Sequence, residues 1–120
     1  MSQWIDSRPG SELVALELAA LAEREIEDAA DYYEAQSVGL GLRFILRTRE
    51  TLLRIAGAPF EQPPWTLEGV PAGIRHARIN GFRNSVTFVV EPRLVAVAVM
   101  HDRQSPTYWV ARLDQYRKAP

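Results

Sequence analysis

The stretch Gly73–His101, "GIRHARINGFRNSVTFVVEPRLVAVAVMH", decides the fold. "GIRHARI" and "FRNSVTFVV" are rich in β-branched and aromatic residues and flank Asn80-Gly81. That dipeptide is the strongest short hairpin signal, because both positions of a two-residue turn want positive φ. "EPR" supplies the next turn. "LVAVAVMH" is apolar without alternation, as expected of a strand buried on both faces in the middle of a sheet. Three consecutive strands are therefore predicted, with the most apolar one last and central.

Upstream, the periodicity changes. In "AALAEREIEDAADYYEAQS", Ala22, Ile26, Ala29 and Tyr33 are spaced for one helical face, and Glu23, Glu27, Asp31 and Glu34 fall opposite. "SVGLG" breaks this helix through Gly39 and Gly41. A second helix, Leu40 to Ala56, is predicted to turn Leu42, Ile45, Leu52 and Ile55 inward and Arg43, Arg47, Glu50 and Arg54 to solvent, with Gly57 and Pro59 ending it. A short glycine turn between two amphipathic helices predicts an antiparallel hairpin. "ELVALEL" before it reads as a short first strand, with Val14, Leu16 and Leu18 on one face. Prolines at 59, 63, 64 and 71 exclude helix and central strand from "GAPFEQPPWTLEGVPAG", which reads either as a functional loop, as long irregular segments in small domains often are, or as an ordinary crossover pinned by Phe60 and Trp65. At the C-terminal end, Ser105-Pro106 reads as an N-cap and first helical position, so "SPTYWVARLDQY" is predicted as a short terminal helix. The expected class is α+β with the order β-α-α-β-β-β-α, a helical hairpin packed on a small, mostly antiparallel sheet. Residues 1–12 read as a flexible lead-in, with Trp4 and Ile5 able to dock, and 13–120 as one domain.

Composition narrows the function. The 120 residues are 47% apolar, enough for a core. No cysteine is present, which excludes disulfides and thiolate metal sites and fits a reducing cytoplasm. The apolar run Leu94–Met100 is too short to span a bilayer, and no secretory signal is recognisable. The net charge of −1 hides an asymmetry. Seven acids face Arg24 alone between Glu17 and Glu34, whereas eight bases face three acids from Arg75 onward. A polarised small domain suits a polyanion or an acidic partner, although arginine also simply solvates strand ends.

No P-loop, GxGxxG, GxSxG or HExxH motif occurs. His76 and His101 lie in separate strands with no third ligand in view, so neither a metal ion nor a cofactor is expected. Any enzyme chemistry would be metal-free acid–base work, such as RNA cleavage by its own 2′-hydroxyl. An arginine fork would hold the phosphate and a positioned side chain would move the proton. Arg75, His101, Arg103 and Tyr108 are the candidate residues, and each also has a plain structural reading. A histidine can close a strand, and Tyr108 with Trp109 can lay aromatics on a sheet edge.

Two strings carry a resemblance. "AEREIEDAADYYEAQSVGLGLRF" and "VAVAVMHDRQSPTYW", with "IRHARINGF" between them, resemble the RelE/ParE superfamily of type II toxin–antitoxin toxins, particularly the plasmid stabilisation branch, over Leu13 to Arg112. The resemblance implies a cytoplasmic growth inhibitor, neutralised by a cognate antitoxin. RelE-like members cleave mRNA on the ribosome, which would make this chain a metal-independent endoribonuclease. ParE-like members act on DNA gyrase without known enzymatic activity. A decayed relative that keeps only antitoxin binding is the alternative. Assembly as a homodimer or a toxin–antitoxin hetero-oligomer stays open. In the family pattern His, two residues, Arg-Asp-Pro, one residue, Tyr-Trp, this chain keeps His101, Pro106, Tyr108 and Trp109 but has Gln104-Ser105 for Arg-Asp. Arg75 matches the arginine of the second strand. Arg83-Asn84 stand where the family usually has Pro-Tyr.

Overall fold

The computed structural model describes residues 16–117. Residues 1–12, Val14 and Lys118 lie outside them. Four strands form one sheet: β1 (Glu17–Leu18), β2 (Ile74–Arg78), β3 (Asn84–Val89) and β4 (Val95–His101). Their order is β1-β4-β3-β2, with β1 parallel to β4 and the other neighbours antiparallel. This position explains the unbroken apolar run of β4: it has a strand on each side, helices on one face and the C-terminal segment on the other, and Val95–Met100 are all buried. The order β-α-α-β-β-β-α is as the sequence predicts.

The β2–β3 turn follows a different rule from the one expected. Gly81 has φ +84, but among the described residues only glycines have positive φ, so Asn80 does not. The Phe82 N–H donates to the Ile79 carbonyl (3.2 Å), which makes a type II arrangement with glycine at its third position. Two further residues then lead into β3.

The proline-rich crossover is an ordered edge cover. After a 3₁₀ turn at Pro59–Glu61, residues 63–65 run beside β2: the Trp65 N–H donates to the Ile74 carbonyl (2.8 Å) and the His76 N–H to the Pro63 carbonyl (3.0 Å). Trp65 pins this segment as expected. Its indole stacks on His76 (4.1 Å between centroids) and donates to Thr87 Oγ1 (3.1 Å). Phe60 does not pin it; its side chain is 62% exposed.

The helices are α1 (Ala20–Gln36) and α2 (Leu40–Gly57). Ala22, Ile26 and Ala30 of α1 are buried, and Ala29 and Tyr33 are partly so. The α1–α2 turn is built by glycine and by Glu34. Gly39 has φ +88, and the Glu34 carboxylate accepts from the N–H groups of Gly39 (3.1 and 3.0 Å) and Gly41 (3.0 Å). A carboxylate thus satisfies the free donors at the positive end of α2. On α2, Phe44, Leu52 and Ile55 are buried, but Leu42 is 61% exposed, against the prediction. The buried sector is completed instead by Thr48 and Thr51, whose hydroxyls return to the Phe44 and Arg47 carbonyls (2.8 Å each) and so carry no unsatisfied polar atom inward.

The C-terminal segment also departs from expectation. No regular helix starts at Ser105-Pro106. Turns lead to a 3₁₀ turn at Val110–Arg112 and only then to α3 (Leu113–Arg117). The Ser105 hydroxyl meets Thr107 Oγ1 (2.8 Å) and accepts from the Thr107 N–H (3.4 Å), which closes a turn and starts no regular helix. Packing decides this path. Trp109 is wholly buried, with its indole N–H on Met100 Sδ (3.4 Å), and the chain must dip toward the sheet to place it there.

The close approach of α2 to α1 at Gly41 supplies a test. A Cβ on Gly41 would stand 2.6 Å from the Ala30 carbonyl oxygen. Alanine inside a helix normally gains about 1 kcal/mol over glycine. Gly41→Ala is expected instead to destabilise by about 1–3 kcal/mol, the scale of overpacking, seen as a lower midpoint in thermal or urea unfolding.

Candidate functional site

A cleft of about 580 Å³ opens between the solvent-facing flank of α1 and the C-terminal end of β4. Glu25, Asp28, Tyr32 and Tyr33 line one wall, and His101, Arg103 and Gln104 the other.

His101 is half-buried and pairs with Asn84 across the sheet, on the helix-covered face. Three hydrogen bonds hold it where the strand reverses. Its N–H donates to Gln104 Oε1 (2.8 Å), its carbonyl accepts from the Gln104 N–H (3.0 Å), and Nδ1 accepts from the Arg103 N–H (3.0 Å). With Nδ1 as acceptor, the ring carries its proton on Nε2. Gln104 therefore shapes the turn that presents His101. Arg103 is exposed and has no ion-pair partner among the described residues. Behind the histidine, the Tyr33 hydroxyl donates to Asn84 Oδ1. Burial, then the charges of Tyr32 and Asp102, hold this phenol above its ordinary value.

Tyr108 is occupied. Its hydroxyl donates to Glu25 Oε2 (2.9 Å). The Arg112 guanidinium stacks over its ring (5.1 Å) and binds both Glu25 oxygens (2.9 and 3.2 Å). The cluster also closes a backbone account. The β3–β4 register shifts between Thr87/Ala98 and Phe88/Ala96, leaving Val97 as an extra residue. Arg112 Nη1 then donates to the Val97 carbonyl (3.1 Å), and the Val99 N–H donates to Glu25 Oε1 (2.9 Å). Burial first, then the charge and hydrogen bond of Glu25, push the Tyr108 phenol well above its ordinary value, with Arg112 opposing. For Arg112 burial lowers the value, but Glu25 together with Tyr108 and Tyr116 outweighs it and the net shift is upward.

Arg75 lies elsewhere. It pairs with Phe88, four residues along β3 from the Asn84–His101 pair and two strands over, a separation of roughly 13 Å along the strand alone. Its guanidinium donates to the Gln62 and Phe60 carbonyls and sits over the Phe60 ring (5.5 Å). The structure thus brings His101 and Arg103 to one cleft, sets Tyr108 behind its Glu25 wall, and leaves Arg75 at the far end of the sheet. His76 is on β2 beneath Trp65, its value lowered by burial. Among the described residues no group of three or more His, Cys, Asp or Glu could hold a metal ion.

Sequence reading did not find Glu25, Arg112, Tyr33 or Asn84. Glu25 had a signal: it lies three residues after Ala22 and four before Ala29, on the border of the apolar sector, where an acid needs a partner.

A helical hairpin on a four-stranded mixed sheet, with a polar cleft at the end of the central strand, is an α+β fold. Among solved structures, the chain is similar to a chain of the "Chromosomal ParDE TA system from P. aeruginosa", with a TM-score of 0.62 and 17% identity over 76% of this chain and 98% of that one. No protein-family model matches the sequence, and no curated protein does.

Two measurements test the cluster. Arg112→Met strips the charge partner from part-buried Glu25 and the donor from Val97, and is expected to cost about 2–3 kcal/mol in denaturant unfolding. A raised phenol value favours the protonated side chain in the folded state. The Tyr108 contribution is therefore complete below pH 10.0, the ordinary tyrosine value, and is lost as pH rises above it. In tyrosinate absorbance titration, Tyr108→Phe is expected to remove the step at highest pH.

Proposed function

We propose that this chain is the toxin of a type II toxin–antitoxin pair, a cytoplasmic growth inhibitor silenced by a cognate antitoxin. The observation that carries the reading is the fold shared with 98% of a chain from a ParDE toxin–antitoxin system. Within it, we favour a ParE-like mechanism, inhibition of DNA gyrase by docking without catalysis. The dispersal of the candidate residues supports this. A metal-free nuclease needs a phosphate-holding cation, an acid and a base around one phosphate. Arg75 is tied to the proline-rich segment, and the Tyr108 phenol is engaged by Glu25.

The RelE-like reading rests on a narrower observation. His101, with its proton on Nε2, shares the cleft with Arg103, which has no ion-pair partner among the described residues. In that reading Arg103 holds the scissile phosphate and His101 transfers the proton.

Inducing the chain without its antitoxin separates the two. The docking reading expects growth arrest, inhibition of supercoiling by purified gyrase, relief by the antitoxin, and unchanged RNA ends on translating ribosomes. New RNA ends that disappear with His101→Ala, a loss on the order of 10²–10⁴-fold, assign the nuclease instead. A folded chain that causes no arrest points to a decayed relative that retains only antitoxin binding.

A further inference from the structure

The outer face of α2 carries an exposed apolar ridge that the cleft does not use. Leu42, Leu46 and Leu53 are 61%, 51% and 37% exposed, around a shallow depression of about 500 Å³. With Arg49 they follow a 4-3-4 spacing, the seam of a helix that pairs with another helix. The seam lies on the opposite side of α2 from Phe44, Thr48 and Ile55, so the core of the fold does not need it.

The two borders of the seam carry opposite charge. On one side α1 runs alongside, located by Glu34 reaching across to Gly39 and Gly41. Asp31 and Glu27, exposed and about one and two turns back from Glu34, continue this border. On the other side lie Arg43 and Arg47, both exposed, with Glu50 paired to Arg47 (3.0 Å), while the neighbouring Arg54 turns to the Arg78 carbonyl (2.8 Å). A ridge of three leucines interrupted by Arg49, with acid on one border and base on the other, is complementary to itself in its borders under one symmetry operation. A two-fold axis parallel to α2 lays the helices side by side in the same direction and sets the acidic border of each copy against the basic border of the other. A perpendicular axis makes them antiparallel and sets acid on acid and base on base. We propose that two copies of this chain associate through α2, parallel and with the leucines of one against those of the other, Glu27 and Asp31 of one copy facing Arg43 and Arg47 of the other. This inference does not depend on the toxin reading.

Sedimentation equilibrium of the full chain tests it. A concentration-dependent dimer is expected, weakened by about thirtyfold or more by Leu46→Glu, the loss typical of a central contact. Leu46 is exposed, so the variant should keep its fold, checked by circular dichroism. The protein has no cysteine, so single substitutions report geometry. Leu42→Cys and Leu53→Cys should each form a disulfide-linked homodimer under mild oxidation, because only parallel pairing brings each position next to its own copy. A chain monomeric throughout, or a dimer indifferent to Leu46→Glu, overturns the proposal. So does a dimer in which Leu42→Cys and Leu53→Cys cross-link only to each other. A monomer whose Leu46→Glu variant loses a co-expressed partner overturns it in favour of that partner.

Discussion

The Glu25 carboxylate holds together three parts of the chain that are remote in sequence. It stands on α1, accepts the Val99 N–H of the central strand, and binds Arg112 and Tyr108 of the C-terminal segment. Partial burial raises the cost of any unpaired charge, and the arrangement leaves none: among the described residues no buried side-chain nitrogen or oxygen lacks a partner. The bulge at Val97 makes this necessary. β1 is only two residues long, so beyond it β4 needs other partners for its backbone groups, and Glu25 and Arg112 supply them. The same carboxylate then forms part of the cleft wall, so the stability of the sheet border and the shape of the cleft rest on one side chain.

The main outline of the fold was legible because it rests on local chemistry. Gly39 and Gly57 mark the helix boundaries, Asn80-Gly81 marks the hairpin, and the apolar run at 94–100 marks the central strand. The errors came where packing chose between equivalent local patterns. α2 carries two apolar stripes, one through Leu42, Leu46 and Leu53 and another through Phe44, Leu52 and Ile55, and periodicity does not say which meets the sheet. The answer turned on Thr48 and Thr51, whose hydroxyls bond back onto their own helix and so can be buried. The terminal helix was misplaced because Ser105-Pro106 is a sound local start signal, while the burial of Trp109 is a tertiary demand.

The candidate site was less legible than the fold for a related reason. His101 and Arg103 are adjacent in sequence and stay together. Arg75 was grouped with them by residue type, yet it belongs to the opposite end of an antiparallel pair, and register alone separates them. Tyr108 was found without its partner, since a glutamate 83 positions away gives no local sign. The cleft is mixed in charge, lined by Glu25 and Asp28 as well as by Arg103.

The proline-rich crossover has a bearing on how the protein behaves at high concentration. A bare outermost strand is a template onto which other chains can add, the route to amyloid-like stacking. Here Pro63 to Trp65 occupy backbone donors and acceptors of β2, and two prolines in that cover have no N–H to offer in turn. The segment acts as a stopper against polymerisation at that rim, which leaves encounters with other molecules to side chains.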